Sequence, residues 1–89
     1  MTDAERARHQ GEIALALARL LRQSREGADM TQIELAARIH RDRASIARWE
    51  CAMHLKGVVD YIIALEACGQ CDKFVDALAT ITRNRVPSR

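Results

Sequence analysis

The sequence predicts an all-α fold, a compact five-helix bundle within one domain. Its 89 residues are the length of a single small domain. Apolar residues recur along the chain at helical spacing, with almost no strand-like alternation. Hydrophobic residues make up 48% of the chain but aromatic residues only 3%, so we expect a thin core built mainly from leucine and isoleucine. We place the domain at residues 1–83 and a flexible tail at 84–89, which contains the only proline.

The first helix is predicted from a capping signal followed by an apolar face. Thr2 and Glu5 have the spacing of a capping box at a helix start. One face of the helix then carries Ile13, Leu17, Leu20 and Leu21. We expect the helix to end near Glu26, because Gly27 is of the residue type that commonly terminates helices.

Two short helices are predicted next, separated by only two residues. Thr31 is the expected N-cap of the second helix, and Glu34 closes its capping box, so this helix runs to about Ile39. Asp42 is the expected N-cap of the third helix, which ends near Cys51. The sequence therefore predicts a pair of helices joined by a tight turn.

The last two predicted helices carry most of the remaining apolar residues. The fourth follows a loop over 52–57, stops at Gly69, and is expected to be buried through Val59, Ile62, Ile63 and Leu65. The fifth helix is expected to be capped by Asp72. Its apolar stripe either closes the core or forms the seam of a homodimer, and it consists of Phe74, Val75, Leu78 and Ile81.

Charge is distributed unevenly along the chain. The formal net charge is only +2, yet residues 38–48 hold four arginines against one acidic residue, and residues 57–82 hold four acidic residues against one lysine. A basic segment inside a folded domain indicates an anionic partner, whereas the acidic segment argues against general coating of nucleic acid. Arginine also outnumbers lysine strongly, which favours forked contacts to phosphate or base edges.

The second and third predicted helices have the features of a helix-turn-helix, in which the second helix enters the major groove of DNA. Ala36 is small where the two helices cross, and the apolar seam between them consists of Leu35, Ile39, Ile46 and Trp49. The opposite side of the third helix carries no large apolar residue and consists of Arg43, Ala44, Ala47 and Arg48. Arg43 lies in the first turn, the part of a recognition helix that usually meets base edges.

Residues 31–50, TQIELAARIHRDRASIARWE, resemble the helix-turn-helix of the Cro/C1 (Xre) family of phage and plasmid repressors, and the similarity extends over residues 15–69. The matching positions are Gln32, Glu34, Leu35, Ala36, Ile39, Ile46 and Glu50. The resemblance implies a lambda-repressor-like bundle that binds double-stranded DNA. It also implies a repressor that acts as a homodimer on a palindromic operator.

The resemblance also implies roles for individual residues. Gln32 would hold a DNA phosphate at the start of its helix, where the helix dipole favours an anion. Base contacts would come from Arg43, Ala44 and Arg48, with Ser45 and Ala47 close by. Arg38 and Arg41 either reach phosphates or remain solvated. The chain departs from the family pattern at His40 and Ala52, where glycine is usual, and at Lys56, where proline is usual.

Two other classes of function compete with this interpretation. One is an antitoxin-type protein-interaction module with secondary DNA binding. The other is a zinc or thiol switch, because Cys51 with His54 and Cys68 with Cys71 have the spacing of zinc-ligand pairs. About ten helical residues, roughly 15 Å, would separate the two pairs, so we expect no metal site and assign the thiols to ordinary packing.

The sequence argues against a membrane protein, a secreted protein and an enzyme. No apolar run approaches the roughly 18 residues needed to span a bilayer. The charged N-terminal segment and the three cysteines favour a cytoplasmic protein without disulfides. The histidines have no evident nucleophile or carboxylate partners, and glycine-rich phosphate loops are absent from the sequence. We therefore expect no catalytic activity and no cofactor.

Overall fold

The computed structural model describes residues 1–52 and 57–85, and all regular structure in these two ranges is helical. This confirms the predicted all-α fold with five helices. The helices are α1 (Asp3–Gly27), α2 (Gln32–Arg38), α3 (Arg43–Glu50), α4 (Val58–Ala67) and α5 (Cys71–Arg85). The long α1 contacts α3, α4 and α5, while α2 contacts α3 and α4. The helix pair α2–α3 is thereby held against the rest of the bundle.

The first three helices begin at side-chain caps, as predicted. The Thr2 hydroxyl accepts a hydrogen bond from the Glu5 N–H at 3.1 Å, which satisfies one of the free donors at the start of α1. A complete capping box at Thr31 opens α2, and Asp42 caps α3. The prediction that Asp72 caps the fifth helix is wrong, because α5 already begins at Cys71 and Asp72 lies within its first turn.

Four described residues have positive φ, and each directly follows the C-cap of a helix: Asp29, His40, Ala52 and Gly69. After α1, for example, the Met30 N–H donates to the Arg25 carbonyl and the Asp29 N–H donates to the Glu26 carbonyl, the pattern of a Schellman motif. The predicted end of α1 near Glu26 is one residue short of the observed end at Gly27, and the left-handed residue that terminates the helix is Asp29 instead of Gly27. Gly69 ends α4 as predicted.

Among the described side chains, the core is formed by buried residues that include Leu21, Leu35, Ile46, Tyr61 and Leu65. The buried face of α4 differs in part from the predicted one. Leu65 is buried as predicted and Ile62 packs partly against the core. Tyr61, Ala64, Leu65 and Cys68 point into the core, whereas Val59 is 64% exposed and Ile63 is 44% exposed. Both arrangements have helical spacing, and the packing of α1 and α2 against α4 selects the one built around Tyr61.

The C-terminal region departs from the predicted domain boundary. Helix α5 continues to Arg85, so the tail predicted at 84–89 begins inside a helix, and residues 86–89 are outside the described ranges. Val75 of the predicted dimer seam is 61% exposed, while the side chains of Phe74, Leu78 and Ile81 are not among those described. None of the described helices is long and apolar enough to cross a membrane.

Candidate nucleic-acid interface

A four-residue turn joins α2 to α3 and fixes how the two helices cross. His40 has a φ of 57°, a left-handed conformation that glycine adopts most readily. The Arg41 N–H donates to the Ala36 carbonyl at 2.8 Å, and the His40 N–H donates to the Ala37 carbonyl at 3.4 Å. These bonds satisfy carbonyls at the end of α2, so the turn is a defined structure.

The predicted seam between the two helices is present. Leu35 and Ile46 are fully buried, Ala36 is 3% exposed and Trp49 is 3% exposed. Ile39 is partly buried against the same cluster. Side chains on the inner faces of α2 and α3 are thus fixed in the core, which leaves the opposite face of α3 directed to solvent.

The outer face of α3 carries Arg43, Ala44 and Arg48, all exposed, and we call this set the arginine face. Ala47 lies at its margin and is half-buried. Ser45, which the resemblance placed near the base contacts, is buried at 6% exposure. The serine hydroxyl donates to Asp42 Oδ1 at 2.6 Å, so its geometry suits a supporting position behind the arginine face.

A short hydrogen-bonded chain orients one end of the arginine face. Arg48 Nη2 donates to Ser45 Oγ at 3.2 Å, and Ser45 in turn is held by the Asp42 carboxylate. The hydrogen bonds from the Ser45 hydroxyl and backbone lower the pKa of Asp42 below its ordinary value. Asp42 therefore stays ionised, caps α3 and holds the serine to which Arg48 is bonded.

A charged network anchors the C-terminal end of α3 to the first two helices. Arg25 of α1 donates to Glu50 from Nε at 2.7 Å and from Nη2 at 3.0 Å, a bidentate pair in which the arginine side chain is 13% exposed and the glutamate 4%. Arg25 also donates to the Met30 carbonyl. The hydrogen bonds that Arg25 donates to Glu50 raise the pKa of Arg25. The two parallel hydrogen bonds fix the orientation of the Glu50 carboxylate relative to Arg25 as well as the distance between them.

Gln32 joins this network from the first turn of α2. Its Nε2 donates to Glu50 Oε1 at 3.2 Å, and the residue is half-buried. An amide nitrogen has two donor hydrogens, so this bond leaves one for another acceptor. Gln32 therefore lies at a helix N-terminus with a donor left for an anion.

The two remaining arginines predicted to contact phosphate have different surroundings. Arg38, at the end of α2, is exposed. Arg41, in the turn, lies near Asp60 of α4, with 3.6 Å between its Nη2 and Oδ1 of the aspartate. The Arg41 guanidinium carbon is also 5.8 Å from the centre of the Trp49 ring. The structure thus gives Arg41 protein partners of its own.

Sequence reasoning missed Arg25, Asp60 and Tyr61 as parts of this region. Tyr61 donates a hydrogen bond from its hydroxyl to the Trp49 carbonyl at 2.8 Å, which ties α4 to the end of α3. Each of these residues acts on a partner far away in the sequence, where helical periodicity carries no signal. The burial of Glu50, which demands a cationic partner such as Arg25, is visible only in the structure.

The cysteines do not form a cluster among the described residues. Cys51 is exposed, while Cys68 is buried and burial raises the pKa of its thiol. His54 and the side chain of Cys71 are outside the described set, so the predicted zinc-ligand pairs are only partly described. Among the side chains that are described, no group of His, Cys, Asp and Glu is arranged to hold a metal ion.

Comparisons with family models, with curated proteins and with solved structures gave no match to this chain.

Proposed function

We propose that this protein is a sequence-specific regulator that binds double-stranded DNA, a Cro/C1-type repressor that acts as a cytoplasmic homodimer on a palindromic operator. The observation that carries the proposal is the arginine face. Arg43, Ala44 and Arg48 are exposed together on the second helix of a tight helix pair. The opposite face of that helix is buried. An exposed helix of this kind fits the major groove.

The chemistry of the arginine face matches the groups at base edges. A guanidinium pairs best with O6 and N7 of guanine, and the alanine methyl group fits against a thymine methyl. Arg43 lies in the first turn of α3, where recognition helices usually meet bases. Arg48 uses a donor on Ser45 but keeps most of its five donors for DNA. In this proposal Ser45 positions Arg48 instead of contacting a base.

Phosphate contacts in this proposal come from Gln32, Arg38 and Arg41. Gln32 combines a helix N-terminus with a free amide hydrogen, and the positive end of the helix dipole attracts an anion. Arg38 is exposed at the far end of the same helix. Such contacts fix the register of the protein on the duplex and carry no sequence information themselves.

A homodimer follows from the size of the proposed interface. One helix-turn-helix reads few base pairs, and two copies related by a two-fold axis read half-sites about 34 Å apart. The proposed seam is the stripe on α5 that includes the exposed Val75.

Selection of bound sequences from random duplex DNA tests this function. We expect an enriched palindrome whose half-sites are one helical turn apart, and binding of that palindrome at least about 1,000-fold tighter than binding of random duplex. Equal affinity for all sequences, or no binding at low salt, would contradict the proposal. Arg19→Ala is a suitable control variant, because Arg19 is an exposed arginine of α1 outside the proposed interface.

A protein-interaction module remains a second candidate, and one observation favours it. Val58, Val59 and Ile63 are 46%, 64% and 44% exposed on α4, and we call them the apolar face of α4. Exposed apolar side chains that cluster on one element are typical of protein contacts. In an antitoxin-type protein this face would bind a protein partner while the arginine face contributed weaker DNA binding. A low ratio of specific to random-duplex affinity would favour this candidate.

A further inference from the structure

Arg41 occupies an unusual place between the helix-turn-helix and α4. The residue belongs to the turn that precedes α3, next to the Asp42 cap. Its guanidinium lies 3.6 Å from the Asp60 carboxylate and 5.8 Å from the centre of the Trp49 ring. A cation over an indole face is attracted by the negative face of the ring. The side chain thus has two protein partners, one charged and one aromatic.

The partners of Arg41 are fixed more firmly than Arg41 itself. Trp49 is 3% exposed, and its carbonyl accepts a hydrogen bond from Tyr61, which is 1% exposed. Asp60 precedes Tyr61 in the first turn of α4 and its side chain is 24% exposed, whereas the Arg41 side chain is 51% exposed. The ring is held in the core and the carboxylate is more buried than the guanidinium, so Arg41 is the group with room to change partner.

The Arg41–Asp60 pair is a weak one. Its separation of 3.6 Å is longer than the 2.7–2.9 Å of a charge-assisted hydrogen bond. Half-exposed ion pairs contribute little because water and salt screen them. A DNA phosphate offers a guanidinium two oxygens at the spacing of its fork. Such a phosphate can displace Asp60 while the guanidinium stays over the Trp49 ring.

We infer that Asp60 lowers the affinity of this protein for DNA, because its carboxylate competes with a DNA phosphate for Arg41. The inference rests on the proposed function. In the free protein Asp60 holds Arg41 beside α3 and offsets its charge. Each binding event exchanges the carboxylate for a phosphate, so binding is weaker than the exposed arginines alone would give. Asp60 therefore competes with the duplex for Arg41.

A double-mutant cycle on DNA binding tests the exchange. The proteins are the wild type, Asp60→Asn, Arg41→Gln and the double variant, and the probe is a short random-sequence duplex at fixed salt. Glutamine keeps part of the arginine stem over Trp49. We expect Asp60→Asn to tighten binding about two- to fivefold, the range of a half-exposed ion pair. In the Arg41→Gln background the same change should have no effect.

A matched control separates the exchange from general electrostatics. Glu66→Gln removes one negative charge from an exposed position on the same helix, and we expect little change in affinity. Equal tightening by Glu66→Gln and Asp60→Asn would overturn the inference. Tightening by Asp60→Asn in the Arg41→Gln background, or no tightening at all, would also overturn it.

A second measurement without DNA keeps this inference distinguishable from the proposed function. Trp49 is the only tryptophan, so its fluorescence reports on the guanidinium above its ring. We expect Arg41→Gln to change this emission, and duplex binding to preserve it. Urea unfolding of the same four proteins measures the coupling free energy between Arg41 and Asp60. If the two residues are coupled in this measurement but no variant binds duplex, both the proposed function and the exchange are overturned. Duplex binding without such coupling would overturn the exchange alone.

Discussion

Two helices of this small bundle present very different surfaces. The arginine face of α3 exposes Arg43, Ala44 and Arg48 without a large apolar group among them. The apolar face of α4 exposes two valines and an isoleucine. The first surface suits a polar, anionic partner such as DNA, and the second suits an apolar one such as another protein chain. We therefore expect the two surfaces to bind different partners.

The two helices also differ in how their ends are held. α3 has a carboxylate cap at its start and a bidentate ion pair at its end. α4 begins after Gly57, which has no side chain with which to cap it, and ends at the one glycine among the described residues with positive φ. The arginine face is thus fixed by side chains, while α4 depends on the packing of its buried residues.

The largest effect is expected from breaking the anchor of α3. Glu50→Ala removes the partner of Arg25 and leaves a guanidinium that is only 13% exposed without its carboxylate. We expect a loss of about 3–5 kcal/mol in the free energy of unfolding, measured by urea denaturation. The control is Glu26→Ala, whose pair with Arg22 is exposed on α1 and should change stability by less than about 1 kcal/mol. Similar losses in the two variants would show that α3 is not anchored by this pair.

The next effect concerns the arginine face itself. Arg43→Ala should weaken binding to the selected operator by about 1–3 kcal/mol and relax the preference at one base pair, as measured by fluorescence anisotropy. The control Arg19→Ala should leave that preference unchanged. Uniform weakening on every sequence would reassign Arg43 to a phosphate contact.

The extent to which the sequence predicts this molecule differs between the two regions. The caps at Thr31 and Asp42 are local signals that span three residues, and the structure contains both. The buried face of α4 was predicted only in part. Leu65 is buried as expected, but Val59 is exposed and Tyr61 is buried, because these two lie on alternative helical faces and only tertiary packing selects between them. The Arg25–Glu50 and Arg41–Asp60 pairs join distant segments, which no periodicity in the sequence specifies.

A matched pair of substitutions compares the two helix ends. Ala52 and Gly69 follow the C-caps of α3 and α4 with φ of 60° and 73°. Because a β-carbon disfavours this conformation, Ala52→Gly should stabilise the protein by about 0.5–1 kcal/mol, and Gly69→Ala should destabilise it by about 1 kcal/mol. A β-carbon at Gly69 would meet open space, so its cost reflects the backbone alone. Thermal unfolding of both variants measures the two changes in stability. Changes of the same sign would contradict the conclusion that positive φ is unfavourable for a residue with a β-carbon at these positions.

The smallest effect is expected in the pH dependence of the α3 cap. Hydrogen bonds from Ser45 lower the pKa of Asp42 below its ordinary value of 3.8. A lowered pKa means that the ionised cap stabilises the fold fully above that value and loses its contribution as the pH falls through the folded pKa. The stability difference between wild type and Asp42→Ala should therefore be constant near neutral pH and shrink in acid. A difference that persists unchanged in acid would show that the charge of the cap is irrelevant.

The most direct test of the central claim is a titration of the isotopically labelled protein with the selected duplex, followed by backbone amide NMR. The arginine face of α3 and the start of α2 should show the largest chemical-shift changes, at Arg43, Ala44, Arg48 and Gln32. The apolar face of α4 should change less. Changes concentrated on α4, with the amides of α3 unaffected, would contradict the assignment of α3 as the helix that binds DNA.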